Sequence, residues 1–347
     1  MKNKTIFTVV GARPQFIKAA PVCRQIRKHF TEILVHTGQH FDASMSDIFF
    51  DELGIPQPDY NLGIHGSSHG AMTAQMLESI ENLLLEIKPD MVLLYGDTNS
   101  TMAAALAASK LHFPIAHIEA GPRTFDRKQP EEVNRVFTDY VSVLKFCPTK
   151  QSLKNLQAEQ MGEGAYHVGD VMYDAALYAR DKASQHSRIL DQLKLGAKKY
   201  SVATIHRQEH TGAKEDLSKI IAYLNARSCP VILPLHPRTK KAIEHHQIDL
   251  GDIKVIDPLG YLDMTWLIAN AQEVITDSGG VPKEAYFHGV PCTTIGNYTP
   301  WPETVAKGWN RLWSSDTWLE PRMNIDDYGD GNAAKKIAWH IEEYFER

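Results

Sequence analysis

The feature that most constrains this chain is an alternation that occurs twice. Short apolar, β-branched runs bounded by turn residues give way to segments whose apolar residues recur with helical spacing. A strand that is apolar on both faces must be covered on both sides, and helices cover it when the strands run parallel. In the first half the pattern predicts strands near residues 5–10, 32–37, 91–95, 115–118 and 146–147, with helices near 16–29, 71–87 and 100–110. In the second half it predicts strands near 200–205, 231–235, 254–256, 273–276 and 292–294, with helices near 214–227, 261–270 and 281–288. The expected fold is α/β, two Rossmann-like domains facing across a cleft. Their expected extents are 1–172 and 173–347, joined near 168–185, and the last helix, about 332–345, packs back on the first domain. Ligands of such sheets bind beyond the carboxyl ends of the strands.

A chain of 347 residues, 43% hydrophobic, is long enough for two cores. Its net charge of −5, from 37 basic and 42 acidic residues, argues against a nucleic-acid footprint or a polybasic membrane patch. No apolar stretch reaches the roughly 20 residues that span a bilayer, so no membrane association is expected. Cys23, Cys147, Cys229 and Cys292 are far apart and form no Cys-x-x-Cys pair. That argues against a disulfide framework or zinc ribbon and for a reduced, cytoplasmic setting.

The motifs fall just after the predicted strands. Gly11-Ala12-Arg13-Pro14 follows the first, where Gly11 suits a tight turn and Arg13 and Lys18 suit a phosphate-facing corner; ordinary solvated bases at a helix start are the competing reading. Asp277-Ser278-Gly279-Gly280 opens a helix that carries Glu284. Ser278 can cap that helix, the amides of Gly279 and Gly280 can cradle a diphosphate, and Glu284 can reach ribose hydroxyls. Asp97, Glu119 and Glu131, the last beside Glu132, are carboxylates at one sheet edge, as proton transfer at carbon requires. Each taken alone also fits a cap or a helix-start charge. His206 and His236 end two strands of the second half.

Two formal motifs are set aside. His206-Arg207-Gln208-Glu209-His210 spells an inverted metalloprotease string, but it follows a strand, whereas zinc needs both histidines on one helical face. Gly66-Ser67-Ser68-His69-Gly70 spells a nucleophile elbow, yet no good buried strand precedes it. Neither G-x-G-x-x-G nor a P-loop is present, and with the zinc reading set aside no cofactor and no metal is expected.

Taken in order, Gly11-Ala12-Arg13-Pro14 with Lys18, Tyr95-Gly96-Asp97-Thr98, His117-Ile118-Glu119-Ala120-Gly121, Pro130-Glu131-Glu132-Val133-Asn134-Arg135, Thr204-Ile205-His206-Arg207 and Thr276-Asp277-Ser278-Gly279-Gly280 with Glu284 resemble the non-hydrolysing UDP-N-acetylglucosamine 2-epimerase family along nearly the whole chain. The resemblance implies a fold like that of the GT-B glycosyltransferases, a UDP-sugar substrate and a homodimer. It also implies C2 inversion by elimination of UDP to a 2-acetamidoglucal and re-addition. Carried over, Asp97, Glu119 and Glu131 are the acid/base group and His206 assists at the leaving diphosphate. Arg13, Lys18, Ser278, Gly279 and Gly280 form the diphosphate cradle, Glu284 contacts ribose, and Arg135 and His236 are substrate contacts.

The chain departs from the family pattern at Pro122, at Pro282 and at Gly296-Asn297, where an Arg-Asp pair is common. The stretch 39–46 lacks the second glutamine of relatives that a regulatory UDP-sugar activates. Residues 38–42 and 64–66 look closer to a subgroup acting on UDP-2,3-diacetamido-2,3-dideoxyglucuronate. A GT-B glycosyltransferase and an inactive UDP-sugar-binding protein are the readings from other classes.

Overall fold

A computed structural model describes residues 4–39 and 52–347 of the chain. The stretch 39–46 therefore lies, beyond Gln39, outside the described residues. Among the described residues thirteen strands form two parallel sheets. The first contains β1 (Thr5–Val10), β2 (Thr31–His36), β3 (Tyr60–Asn61), β4 (Met91–Tyr95), β5 (Ile115–Ile118), β6 (Leu144–Cys147) and β7 (Ala165–His167), in the order β3-β2-β1-β4-β5-β6-β7. The second contains β8 (Ser201–Thr204), β9 (Val231–Pro234), β10 (Lys254–Ile256), β11 (Glu273–Thr276), β12 (Cys292–Thr294) and β13 (Asn310–Leu312), in the order β10-β9-β8-β11-β12-β13. In each sheet the chain winds outward one way and then returns to the other side of its first strand. The order therefore reverses between β1 and β4, where Val9 pairs with Leu94, and between β8 and β11, where Thr204 pairs with Thr276. A crevice opens at such switch points, past the strand ends.

The strands form where they do because their side chains are buried on both faces. In the first sheet, Phe7, Val9, Val92 and Leu94 pack against Met76, Ile80 and Leu84 of the helix His69–Ile87 and against Ala103, Ala104, Ala107 and Ala108 of the helix Asn99–Lys110. The alanine face brings that helix close to the sheet. In the second sheet, Val202 and Val274 face Leu267 and Ile268, while Ala203 and Ile275 face Leu217, Ile220 and Leu224. That is the period-two alternation of a strand covered on both sides.

Residues 1–175 with 326–347 form one compact unit, and 176–325 form the other. The helix Val171–His186 carries the chain from the first to the second, so the expected division at 172/173 falls inside a helix. The chain rejoins the first unit at Asp326, earlier than the expected 332, and ends in the helix Ala333–Glu346. Asp174 accepts the amides of Ala333 and Ala334 at 3.1 and 2.8 Å, while His340 stacks on Tyr166 at 3.8 Å. Among the described residues no helix is long and apolar enough to cross a membrane.

Candidate functional site

In the first unit the site builds outward from the β1/β4 switch. A Cβ on Gly11 would stand 2.2 Å from the hydroxyl oxygens of Thr37 and Ser100, so close packing requires glycine there, not the tight turn expected. The amides of Gly11 and Ala12 donate to Gln15 Oε1 at 2.8 and 3.0 Å, and Gln15 Nε2 donates to the Tyr95 carbonyl at 2.7 Å. With those amides engaged, the cationic groups of this corner are the exposed Arg13 and the half-buried Lys18.

Lys18 forms an ion pair with Glu119. Glu119 has φ +70°, the left-handed region, which costs a non-glycine residue roughly 1–2 kcal/mol. The turn is fixed by the amides of Glu119 and Ala120, both donating to the Phe146 carbonyl at 3.1 Å. Gly96 also has positive φ, +59°, and a Cβ on it would lie 3.4 Å from Glu119 Oε2 and 3.7 Å from Lys18 Nζ. The residue after it, Asp97, pairs with Arg135, whose other arm donates to Glu132 at 2.6 Å. Asn134 Nδ2 donates to the Asp97 carbonyl at 2.9 Å.

The adjacent glutamates Glu131 and Glu132 part company. Glu132 is buried and accepts the amides of Thr124 and Phe125, both at 3.0 Å. Burial pushes its carboxyl up, but those N–H groups and Arg135 outweigh burial and hold it below the usual range. Glu131 is exposed in the first turn of the helix Pro130–Val141, and its side chain makes no hydrogen bond or ion pair among the described residues. The structure thus gathers Lys18, Glu119, Gly96, Asp97 and Arg135, and leaves Glu131 outside that network.

One participant was passed over as a functional residue in the sequence. His117 on β5 is completely buried, with Nε2 2.7 Å from the Gly96 carbonyl and Nδ1 2.7 Å from Asp139 Oδ1. Asp139 Oδ2 in turn accepts the Gly121 amide at 3.1 Å and Arg123 Nη1 at 2.7 Å. Burial works against the Asp139 charge, but His117 and Arg123 more than offset it and keep the carboxyl below its ordinary value. A histidine inside an apolar strand reads as core, and only the partners show otherwise.

In the second unit the β8/β11 switch is organised by Asp277, which is 1% exposed. Its carboxylate accepts the amides of His206 and Arg207 at 2.9 and 2.8 Å, and Nδ1 of His206 and of His210 each lie 3.2 Å from it. Both histidines of the metalloprotease-like string thus turn to one carboxylate. Among the described residues no group of three His, Cys, Asp or Glu side chains is placed to hold a metal. The His236 ring lies 5.6 Å from that of His206, and its Nδ1 accepts the Arg238 amide at 3.2 Å, capping the helix Pro237–His246. Burial first, then the charges of His206 and Arg238, hold the His236 imidazole below its ordinary range.

Ser278 does not cap the helix Val281–Phe287; Gly280 holds that position. Instead the Ser278 hydroxyl accepts the Gly280 amide at 3.4 Å, and the Ser278 amide donates to Thr276 Oγ1 at 2.9 Å. The Gly279 carbonyl accepts the Trp301 indole N–H at 2.7 Å, and Lys283 Nζ sits 3.8 Å from the centre of that indole. Glu284 folds back over Gly280, whose Cβ would lie 3.9 Å from Glu284 Oε1. Beside this loop is a cavity of about 340 Å³ whose lining includes Arg207, Asp277, Ser278, Gly296, Asn297 and Tyr298.

Two doubly wound parallel units with polar and charged residues past both switch points define the class: an α/β protein of the Rossmann-like, GT-B-like type. The model of the family described as UDP-N-acetylglucosamine 2-epimerase matches residues 24–342. A UDP-N-acetylglucosamine 2-epimerase homolog of Methanococcus maripaludis is 50% identical, over 96% of this chain and 98% of its own. The UDP-2,3-diacetamido-2,3-dideoxy-D-glucuronate 2-epimerase of Pseudomonas aeruginosa is 48% identical, over 97% and 99%. The solved UDP-GlcNAc 2-epimerase of Methanocaldococcus jannaschii is 36% identical and superposes with a TM-score of 0.86, covering 98% of this chain and 99% of that one. Its complex with UDP-GlcNAc and UDP gives 0.81. The chain belongs to the UDP-N-acetylglucosamine 2-epimerase family, a family of isomerases.

Proposed function

We propose that the protein inverts C2 of a UDP-2-acetamido sugar, converting UDP-N-acetylglucosamine to its manno epimer. The observation that carries this reading is the contrast between the switch points. Acids and bases paired around Gly96 occupy one, and a Ser-Gly-Gly loop beside a buried carboxylate and two histidines occupies the other. The reaction needs both. The C2–H and C1–O bonds break, the electrons form a C1=C2 double bond, and UDP leaves with the C1–O pair. Re-addition then returns the proton to C2 from the opposite face.

In this reading Glu119, with Asp97 and Glu131, takes and returns the proton, and His206 assists the departing diphosphate. Proton transfer alone supplies a rate factor of roughly 10²–10⁴. The C2 proton is not acidic, so the larger share falls to stabilising UDP through Arg13, Lys18, Ser278 and the amides of Gly279 and Gly280. Glu284 contacts ribose, Arg135 holds Asp97, and His236 lies beside His206. We further infer a homodimer in a reduced cytoplasm. Exposed Val133 and Tyr140 on the helix Pro130–Val141 support the dimer, and four free cysteines support the setting.

The 48% identity to the Pseudomonas aeruginosa enzyme favours a second substrate, UDP-2,3-diacetamido-2,3-dideoxyglucuronate. Proton NMR in heavy water separates the readings, since turnover places deuterium at C2 of the true substrate. Exchange into neither sugar, with UDP still bound, would leave a glycosyltransferase or a UDP-sugar-binding protein.

A further inference from the structure

We infer that His117 is a positioning residue that locks together the two turns carrying Asp97 and Glu119, a role that rests on the reading of those carboxylates as the acid/base pair. Glu119 follows β5 directly, two residues after His117, and Asp97 follows the Gly96 carbonyl that His117 Nε2 meets at 2.7 Å. A carbonyl oxygen only accepts, so Nε2 carries the hydrogen. On the other side Nδ1 meets Asp139, a carboxylate already engaged by Arg123 and the Gly121 amide. The imidazole therefore spans from the helix Pro130–Val141, through β5, to the turn after β4. The same helix supplies Asn134 to the Asp97 carbonyl and Arg135 to its carboxylate.

Three elements thereby fix one turn, and no water is needed to bridge them. Gly96 takes φ +59° without strain, whereas Glu119 at φ +70° holds a conformation that a non-glycine residue leaves readily unless something pins it. The Gly96 carbonyl bond to His117 and the Gly96 amide bond to the Ile118 carbonyl at 2.9 Å are those pins. A reacting group displaced by about 1 Å loses on the order of 100-fold in rate.

The test compares two amide replacements of His117. His117→Asn offers its amide where Nδ1 stands, so it keeps Asp139 but falls short of Gly96. His117→Gln reaches farther and can return an N–H to the Gly96 carbonyl. Deuterium incorporation at C2 is measured with UDP-N-acetylglucosamine and with UDP-2,3-diacetamido-2,3-dideoxyglucuronate, alongside UDP affinity and thermal midpoint. The expected result is a loss of roughly 100-fold in kcat for His117→Asn, with UDP affinity unchanged, and a tenfold or smaller loss for His117→Gln at a similar midpoint. Equal losses that track stability, or a fully active His117→Asn, would overturn the role. If neither variant folds, ¹⁵N-histidine NMR of the unsubstituted protein decides: a slowly exchanging N–H on Nε2 of His117 supports the lock, and a bare Nε2 removes it. Failure of the unsubstituted protein to exchange either sugar counts against the epimerase reading instead.

Discussion

The two switch points occupy the same place in the same topology and are built from opposite materials. Past β1 and β4 the groups are charged side chains in pairs, Lys18 with Glu119 and Arg135 with Asp97 and Glu132. Past β8 and β11 there is one buried carboxylate, Asp277, taking two amides and two imidazoles, beside a loop of backbone N–H groups. Paired side chains can exchange a proton; backbone amides can only donate hydrogen bonds and hold an anion. Topology thus says where ligands go, and the local residues say what is done to them.

The largest expected effect comes from removing a proton acceptor on the charged side. Glu119→Gln keeps the shape and should lower C2 exchange by roughly 10²–10⁴ while UDP affinity stays within about threefold. A matching loss of UDP affinity, read by calorimetry, would break the division between the two sites. Arg13 tests the division from the other direction, because it stands in the first unit yet is assigned to the diphosphate. One charge-assisted contact is worth about 1.5–3 kcal/mol, so Arg13→Ala should weaken UDP binding about tenfold to a hundredfold. Unchanged affinity would leave the diphosphate wholly to the second unit.

The strong periodic elements were legible in the sequence: β4, β5, β10, β11 and β12 lie where the apolar runs placed them. What was missed has little hydrophobic signal. β3 has two residues, half-buried or exposed, β7 is a partly buried Ala-Tyr-His, and the helix Pro237–His246 is too polar to show a core stripe. Near the switch points, Asp97, Glu119 and the loop opening at Asp277 could be placed just past strand ends from the sequence, because the apolar runs before them are clear. Spacing could not reveal that Ser278 closes its own loop rather than capping a helix, or that Gly11 is demanded by two hydroxyls. Nor could it show which backbone groups Glu132 and His117 meet, since these contacts join residues far apart in the chain or depend on a loop's path.

The smallest effect carries the comparison into stability. In the first unit burial pushes the Asp174 carboxyl up from 3.8 to about 6, although the amides of Ala333 and Ala334 pull it down. In the second, burial with the charges of Arg180 and Lys198 drives the His288 imidazole from 6.5 to about 4. Between roughly pH 4 and 6 folded Asp174 holds a proton that the unfolded chain has released, so its unit loses stability as pH rises. Over nearly the same interval the unfolded chain protonates His288 before the folded one does, so that unit loses stability as pH falls. Each contribution is on the order of 3 kcal/mol. Asp174→Asn removes the charge but leaves one accepting oxygen in place of two, so, relative to the unsubstituted protein, its thermal midpoint should fare better at pH 7 than at pH 4. His288→Gln should remove part of the midpoint's fall between pH 6.5 and 4. Calorimetric scans at these pH values should show the two variants altering opposite ends of the profile; a parallel shift in both would mean that neither group is titrating in the folded chain as its burial requires.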